Sequence, residues 1–349
     1  MSDHISTQAL GVIENGLLKS LPITEIDRKI IAHLQQDGRR RFVAIGTAIG
    51  VTEKTVRAHV KTLFDQQIIQ IVALTSPAAL GYSVSALAAI SIDSPASGSR
   101  IADALAHIDR IDYVALTYSR FAIFAEIIAQ DMQELQETID TRIGTIEGVT
   151  GIELFPYFSV HYQQAQIMRV NVLDEDGVID AELADTDKAI VAELALDGRA
   201  PFGQVANRLS LSESHVRARV QHMVSSRQLK IMAIVNPLKL FDYTMAWVAI
   251  RVATNTKISD VANALSKLPG ISYVVICAGQ FDIFSEIICT SQAELLQALE
   301  TQIRPLEGVA HAEAFIYTNL HYKRLLPVHV KGRTAADAAT VHSLHEFQP

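Results

Sequence analysis

Two stretches of this sequence place basic and hydrogen-bonding side chains at helical spacing opposite an apolar stripe. In TEKTVRAHVK, Lys54, Thr55, Arg57 and Lys61 point away from Val56 and Val60; in SESHVRARVQ, Ser214, His215, Arg217, Arg219 and Gln221 surround Val216 and Val220 in the same way. Such a face suits a major groove, where Arg and Lys meet phosphates and the first turns of the helix reach base edges. On one copy alone it reads equally well as the solvated side of a small bundle. Recurrence favours double-stranded DNA. Arg39, Arg40, Arg41 and Arg199 follow an Asp-Gly pair in the two copies, and read either as phosphate clamps or as residues that solubilise a loop.

Other chemistries find little support. His161-Tyr162 and His321-Tyr322 recur, but one His per copy without Cys or carboxylate at ligand spacing is a poor metal or catalytic set, so packing or an interface contact is expected. Cys277 and Cys289 lie in apolar runs without Cys-x-x-Cys spacing and read as buried thiols. The sequence holds no phosphate-cradling glycine loop, nucleophile elbow or paired acid and base. No catalytic residue, metal or cofactor is therefore assigned.

The elements that must carry the basic faces follow from periodicity. A net charge of −8 argues against a chain coated in nucleic acid, but the sign reverses locally around both basic stretches. Ile26, Ile30 and Leu34 predict a first helix capped by Thr24 and ended at Gly38. Phe42, Ile45 and Ile49 predict a second, Gly50 a tight turn, and Thr52 the cap of the third. Ile69 to Leu74 reads as a wing or hinge strand. From Tyr82 to Tyr162 the pattern is strand, helix, strand, strand, helix, strand, the ferredoxin-like βαββαβ order with a four-stranded antiparallel sheet. Placing Asp27 on Asp187 aligns the halves without a gap through Tyr162 on Tyr322, with about a third of positions identical, as in an internal duplication. The fold class is thus α+β, two repeats of a winged helix-turn-helix followed by a ferredoxin-like domain. The expected divisions are an extension at 1–20, helix-turn-helix units at 21–76 and 184–236, ferredoxin-like domains at 77–168 and 237–327, an acidic linker at 169–183 and a tail at 328–349.

This order, together with Asp27…Leu34…Asp-Gly-Arg, the helix SESHVRARV, Pro237…Leu240 and Gly279-Gln280-Phe281-Asp282, resembles the leucine-responsive and asparagine regulator (Lrp/AsnC) family of transcription factors. The resemblance implies DNA binding by the helical units, and dimerisation and binding of a small effector, often an amino acid, by the ferredoxin-like domains. On it, Gly279, Gln280 and Asp282 become candidate effector residues, with Ser119 and Arg120 at the diverged counterpart in the first half. The tandem supplies both halves of a pair in one chain, and homo-oligomers built through the ferredoxin-like domains are expected. The differing helices, Lys54/Ser214, Thr55/His215 and Lys61/Gln221, imply unequal half-sites. Sirohaem decarboxylases resemble the same two-module plan and are the alternative, although Thr117 to Arg120 and Cys277 to Gln280 lack the His- and Tyr/Arg-rich hairpin of those enzymes. No run approaches the roughly 20 apolar residues that span a bilayer, so a cytoplasmic, membrane-free regulator is expected.

Overall fold

The computed structural model describes residues 23–66, 68–163, 182–235 and 243–322. The extension, the tail, most of the acidic linker and the Pro237 to Leu240 segment lie outside the described residues.

The first half opens with three helices, α1 (Glu25–Gln36), α2 (Phe42–Ile49) and α3 (Glu53–Asp65). Thr24 and Asp27 form a reciprocal capping box: Asp27 N–H donates to the Thr24 hydroxyl at 3.1 Å and Thr24 N–H to Asp27 Oδ2 at 2.8 Å. Gly50, at φ 78°, ends α2 in the left-handed conformation that favours glycine, and the Thr52 hydroxyl caps α3 by accepting from Thr55 N–H. Ile30, Leu34, Ile45, Val56, Val60 and Leu63 are buried. The strand β1 (Ile69–Leu74) follows, and then β2 (Val84–Ile92), α4 (Gly98–Ala106), β3 (Ile111–Thr117), β4 (Ile123–Ala129), α5 (Met132–Glu137) and β5 (Val149–Gln163). The second half repeats the plan as α6 (Asp185–Leu196), α7 (Phe202–Leu209), α8 (Glu213–Ser225), β6 (Lys230–Val235), β7 (Thr244–Val252), α9 (Ile258–Ser266), β8 (Ile271–Cys277), β9 (Ile283–Cys289), α10 (Gln292–Ala298) and β10 (Val309–Tyr322).

Two features depart from the reading of the sequence. The strand expected to act as a wing or hinge pairs instead with its counterpart: β1 and β6 form an antiparallel ribbon from Ile69↔Val235 to Leu74↔Lys230. The two four-stranded sheets also do not stay apart. They close into one eight-stranded barrel, in the order β10-β3-β4-β2-β5-β8-β9-β7. The cause is the length of the last strand in each half. Up to Pro156, β5 pairs with β2, and from Tyr157 onward it pairs with β8; β10 likewise leaves β7 after Ile316 and joins β3 at Tyr317. Closure removes four sheet edges and creates an interior shared by both halves. Phe124, Phe155, Phe284 and Phe315 fill it, with Phe124 4.9 Å from Phe315 and Phe155 4.8 Å from Phe284, both edge-to-face.

Candidate nucleic-acid interface

The Asp-Gly-Arg triplet that ends the first helix of each half turns out to join the two helical units. Asp37 Oδ1 accepts from Arg39 N–H at 2.8 Å and Asp197 Oδ1 from Arg199 N–H at 2.8 Å, which turns the chain. Gly38 then donates to Ile231 O and Gly198 to Ile71 O, each reaching the ribbon strand of the opposite half. A Cβ at Gly38 would stand 2.9 Å from the Met232 backbone, and one at Gly198 2.9 Å from Ile71 O, so no larger residue fits without moving the ribbon. The arginines complete the exchange. Arg39 donates to Gly198 O at 2.7 Å and Ala200 O at 3.0 Å and lies over the Phe202 ring; Arg199 donates to Gly38 O at 2.7 Å and Arg40 O at 3.3 Å and lies over Phe42. Arg39 and Arg199 are therefore interface residues. Where the sequence left them as phosphate clamps or as residues that solubilise a loop, the structure places their Nη donors on backbone carbonyls of the other half. Arg40 donates to His33 Nδ1 at 3.0 Å, and Arg41 is exposed at the start of α2.

With the units locked together, α3 and α8 expose corresponding positions. Lys54, Arg57 and Lys61 are exposed on α3, with Thr55 half-buried; Ser214, His215, Arg217 and Gln221 are exposed on α8. Arg57 pairs with Glu53 one turn earlier at 2.7 Å, and Arg217 with Glu213 at 2.5 Å. Exposed pairs at this spacing contribute only ~0.3–0.5 kcal/mol, whereas a bidentate contact to a base is worth ~1–3 kcal/mol, so neither arginine is withheld from a duplex. Each also leans on the phenylalanine that begins the preceding helix, Arg57 at 5.4 Å from the Phe42 ring centre and Arg217 at 5.2 Å from Phe202.

Arg219 is half-buried beside that face. Its Nε donates to Asp187 Oδ1 at 2.7 Å and its Nη2 to Asp187 Oδ2, a two-pronged pair that ties α8 to the start of α6. The pairing raises the Arg219 proton affinity further. Of the basic residues read as facing DNA on this helix, Arg219 is the one the structure engages with a carboxylate of another helix. In the first half His59 stands at the same position, with Nδ1 2.7 Å from Asp27 Oδ1. Burial pushes the Asp27 carboxyl up, but the Thr24 hydroxyl and N–H together with His59 outweigh it and hold the group below the ordinary carboxylate value.

The hairpin residues singled out for an effector are largely engaged. Asp282 Oδ2 accepts from Val252 N–H at 2.7 Å, which fixes the second hairpin to β7. Gly279, at φ 137°, lies so close to Phe155 that a Cβ would stand 2.8 Å from the ring. Gln280 donates to Glu153 at 2.7 Å, and Arg120, at the tip of the first hairpin, donates to Glu313 at 2.9 Å. Glu153 and Glu313 hold equivalent places on β5 and β10, so each hairpin reaches into the opposite half. Ser119 is exposed, its hydroxyl donating to Phe121 O at 2.7 Å. Arg120 also lies 4.4 Å from the Phe121 ring centre and 5.9 Å from that of Phe281, which brings the two hairpins together.

Deeper in the barrel lies a polar layer that the sequence reading missed. Tyr113 donates to Glu286 Oε2 at 2.6 Å, Tyr317 approaches the same oxygen at 3.1 Å, and Ser272 donates to Oε1 at 2.6 Å. Across the interior, Tyr273 donates to Glu126 Oε1 at 2.9 Å. Burial pushes both carboxyls up, Glu126 to about 7 with the charge of Glu286 acting in the same direction. A Glu at one register of an apolar strand in both copies was the available signal. Burial also raises the thiols of Cys277 to about 12 and Cys289 to about 11, as expected of inert buried cysteines. His321 is half-buried, 3.8 Å from Asp103, and burial lowers its pKa; the His161 side chain lies outside the described residues. Among the described residues no cluster of three or more His, Cys, Asp or Glu is placed to hold a metal ion, and no helix is long and apolar enough to cross a membrane.

Comparison with known proteins gives this geometry its context. Residues 23–63 and 183–224 match the model of the AsnC-type helix-turn-helix domain, and residues 90–169 and 244–326 match that of a C-terminal dimeric alpha+beta barrel domain. An HTH-type transcriptional regulator of Pyrococcus furiosus is 32% identical over 132 residues, which are 38% of this chain and 88% of that protein. The HTH-type transcriptional regulator FL11 of the same organism is 30% identical over 146 residues, 42% of this chain and 93% of its own length. The solved sirohaem decarboxylase NirDL covers 91% of this chain and 100% of its own at a TM-score of 0.57, with 16% identity, a likeness of fold alone.

Proposed function

Because this chain belongs to the AsnC-type family of helix-turn-helix transcriptional regulators, we propose that its two helical units act as one DNA-reading head with two unequal recognition helices. The observation that carries this reading is the pairing of a shared scaffold with diverged outer faces. The β1–β6 ribbon and the exchanged Arg39 and Arg199 hold α3 and α8 in equivalent settings. Their exposed residues then differ, Lys54, Thr55 and Lys61 against Ser214, His215 and Gln221. Two reading helices on a pseudo-twofold frame address half-sites about one helical turn, or a multiple of it, apart. Arg57 and Arg217 supply the common contacts, and the differing residues supply unequal preferences.

The effector belongs to the same proposal. A small metabolite, an amino acid in the first instance, would act on the barrel where the hairpins meet. The ion pair of Arg120 with Glu313 is partly exposed and worth little by itself, so a ligand carboxylate can replace Glu313 at small cost. Such a ligand regulates only by favouring one arrangement of the assembly over another, through further association of chains by their barrels. Selection of genomic fragments by the purified chain at fixed salt, with and without amino acids, tests both parts. Enrichment that depends on Arg57 and Arg217 supports the reading head, and enrichment that shifts with an amino acid and with Arg120→Ala supports the effector. No enrichment at any salt concentration overturns the first.

A further inference from the structure

The phenylalanine that begins the second helix of each unit carries two guanidinium groups of different origin. On Phe42 these are Arg57 of its own recognition helix, 5.4 Å from the ring centre, and Arg199 of the other half, 4.3 Å away. Phe202 repeats the arrangement with Arg217 at 5.2 Å and Arg39 at 4.1 Å. The two members of each pair are not equivalent. Arg199 and Arg39 are anchored by backbone carbonyls of the opposite half and half-buried, while Arg57 and Arg217 are exposed and hold only a pair one turn away. The anchored arginine therefore fixes the ring, and the ring is the surface against which the exposed arginine rests.

Like charge adds direction to this contact. Burial lowers the Arg199 guanidinium's proton affinity most, with the charges of Arg39 and Arg57 acting in the same sense and those of Asp37 and Asp197 opposing; Arg39 is also lowered by burial, against Asp197 and Asp37, with Arg217 adding to the lowering. Two cations held near one ring repel, and the outer member of each pair, Arg57 or Arg217, is held only by the exposed glutamate one turn earlier, Glu53 or Glu213. A phosphate or the acceptor edge of a guanine relieves that repulsion.

We propose that Arg199 and Phe42 position Arg57, and that Arg39 and Phe202 position Arg217, so that each recognition helix depends on a side chain supplied by the other half. This rests on the DNA-reading function proposed above. Its signature is crossed: a change in the second half loosens sequence preference at the half-site of the first helix, and the reverse.

The test uses the full chain and duplexes carrying single-base changes in each half-site, with Arg57→Ala and Arg217→Ala assigning half-sites to helices. Arg199→Gln is expected to relax preference about tenfold at the half-site that Arg57→Ala identifies, with little change at the other, and Arg39→Gln to do the converse. Phe42→Leu should behave like Arg199→Gln, and Phe42→Tyr, which keeps the ring, like the wild type. An equal loss at both half-sites, or a loss from Arg199→Gln or Arg39→Gln at the half-site of that arginine's own half, overturns the inference while leaving the function intact. If Arg199→Gln does not fold, Phe42→Leu and Phe42→Tyr decide, and identical behaviour of the two overturns it. A wild-type chain that prefers no duplex over another overturns the function and this inference together.

Discussion

Asp27 and Asp187 occupy the same position in the two reading units, and each ties the first helix to the recognition helix, but with different partners. Asp187 is gripped by both prongs of Arg219, while Asp27 meets a single ring nitrogen of His59. The turn before the recognition helix differs as well: Gly50 takes the left-handed conformation without cost, and Ser210 takes it at φ 57° with a Cβ to accommodate. Neither unit is better built throughout. The first has the better turn and the second the stronger lock, and the exchanged Asp-Gly-Arg triplets hold both to one frame. Duplication within one chain permits this divergence, because each half need only fit its counterpart and no longer itself.

The comparison breaks most readily at the frame. Gly38→Val should cost about 3 kcal/mol of stability, seen as a lower urea midpoint, because the new side chain meets the Ile71 methyl at 2.8 Å and, at 2.9 Å, the Met232 backbone, which cannot step aside as a side chain can. Gly198→Val should cost a similar amount; a large difference between the two would show that the ribbon does not treat the halves alike. Next comes the lock. Arg219→Ala leaves the buried Asp187 without its partner and should cost roughly 2 kcal/mol, against about 1 kcal/mol for His59→Ala, since the capping contacts from Thr24 still satisfy Asp27. Equal losses would remove the distinction drawn between the units. The Asp27 contribution has its own pH signature. A folded pKa below the ordinary 3.8 stabilises above that value and is lost as pH falls through the folded pKa, a dependence that Asp27→Asn should abolish.

The barrel has the opposite signature, which separates it from the heads in one titration. Glu126 titrates at about 7 in the fold against an ordinary 4.5, so its contribution is fully present below pH 4.5 and lost as pH rises through about 7. Glu126→Gln, which mimics the protonated carboxyl, should flatten thermal stability across that window and raise it at pH 8 by of order 1–2 kcal/mol after allowance for partial exposure. The smallest expected effect is a gain. Ser210→Gly should stabilise the second unit by about 1 kcal/mol in chemical denaturation, bringing its turn level with that of Gly50.

Local chemistry was legible in the sequence, and contacts between halves were not. Thr24, Gly50 and Thr52 marked helix ends because caps and turns depend on residues within a few positions, and Ile30, Val56 and Val60 marked the buried stripe through helical spacing. The four-stranded βαββαβ order was readable for the same reason. Arg39 and Arg199 read only as phosphate clamps or loop solubilisers because their partners lie about 160 residues away in sequence, and a charged residue after a loop glycine reveals nothing of such a partner. Recurrence of Asp-Gly-Arg in both copies, with an aromatic residue three positions later, was the only trace. Barrel closure was hidden likewise, since the second part of β5 pairs with a strand of the other half. Glu126 and Glu286 drew no reading from the sequence, since tyrosines that meet them, Tyr273 and Tyr113, come from the other half.

Selection from a randomised duplex pool by the purified chain at stated salt tests the central claim most directly. Two non-identical recognition helices on one frame predict a site of two dissimilar half-sites at fixed spacing, one losing definition with Arg57→Ala and the other with Arg217→Ala. A perfectly palindromic site whose halves respond alike to both substitutions, or no selected site at any salt, would contradict it.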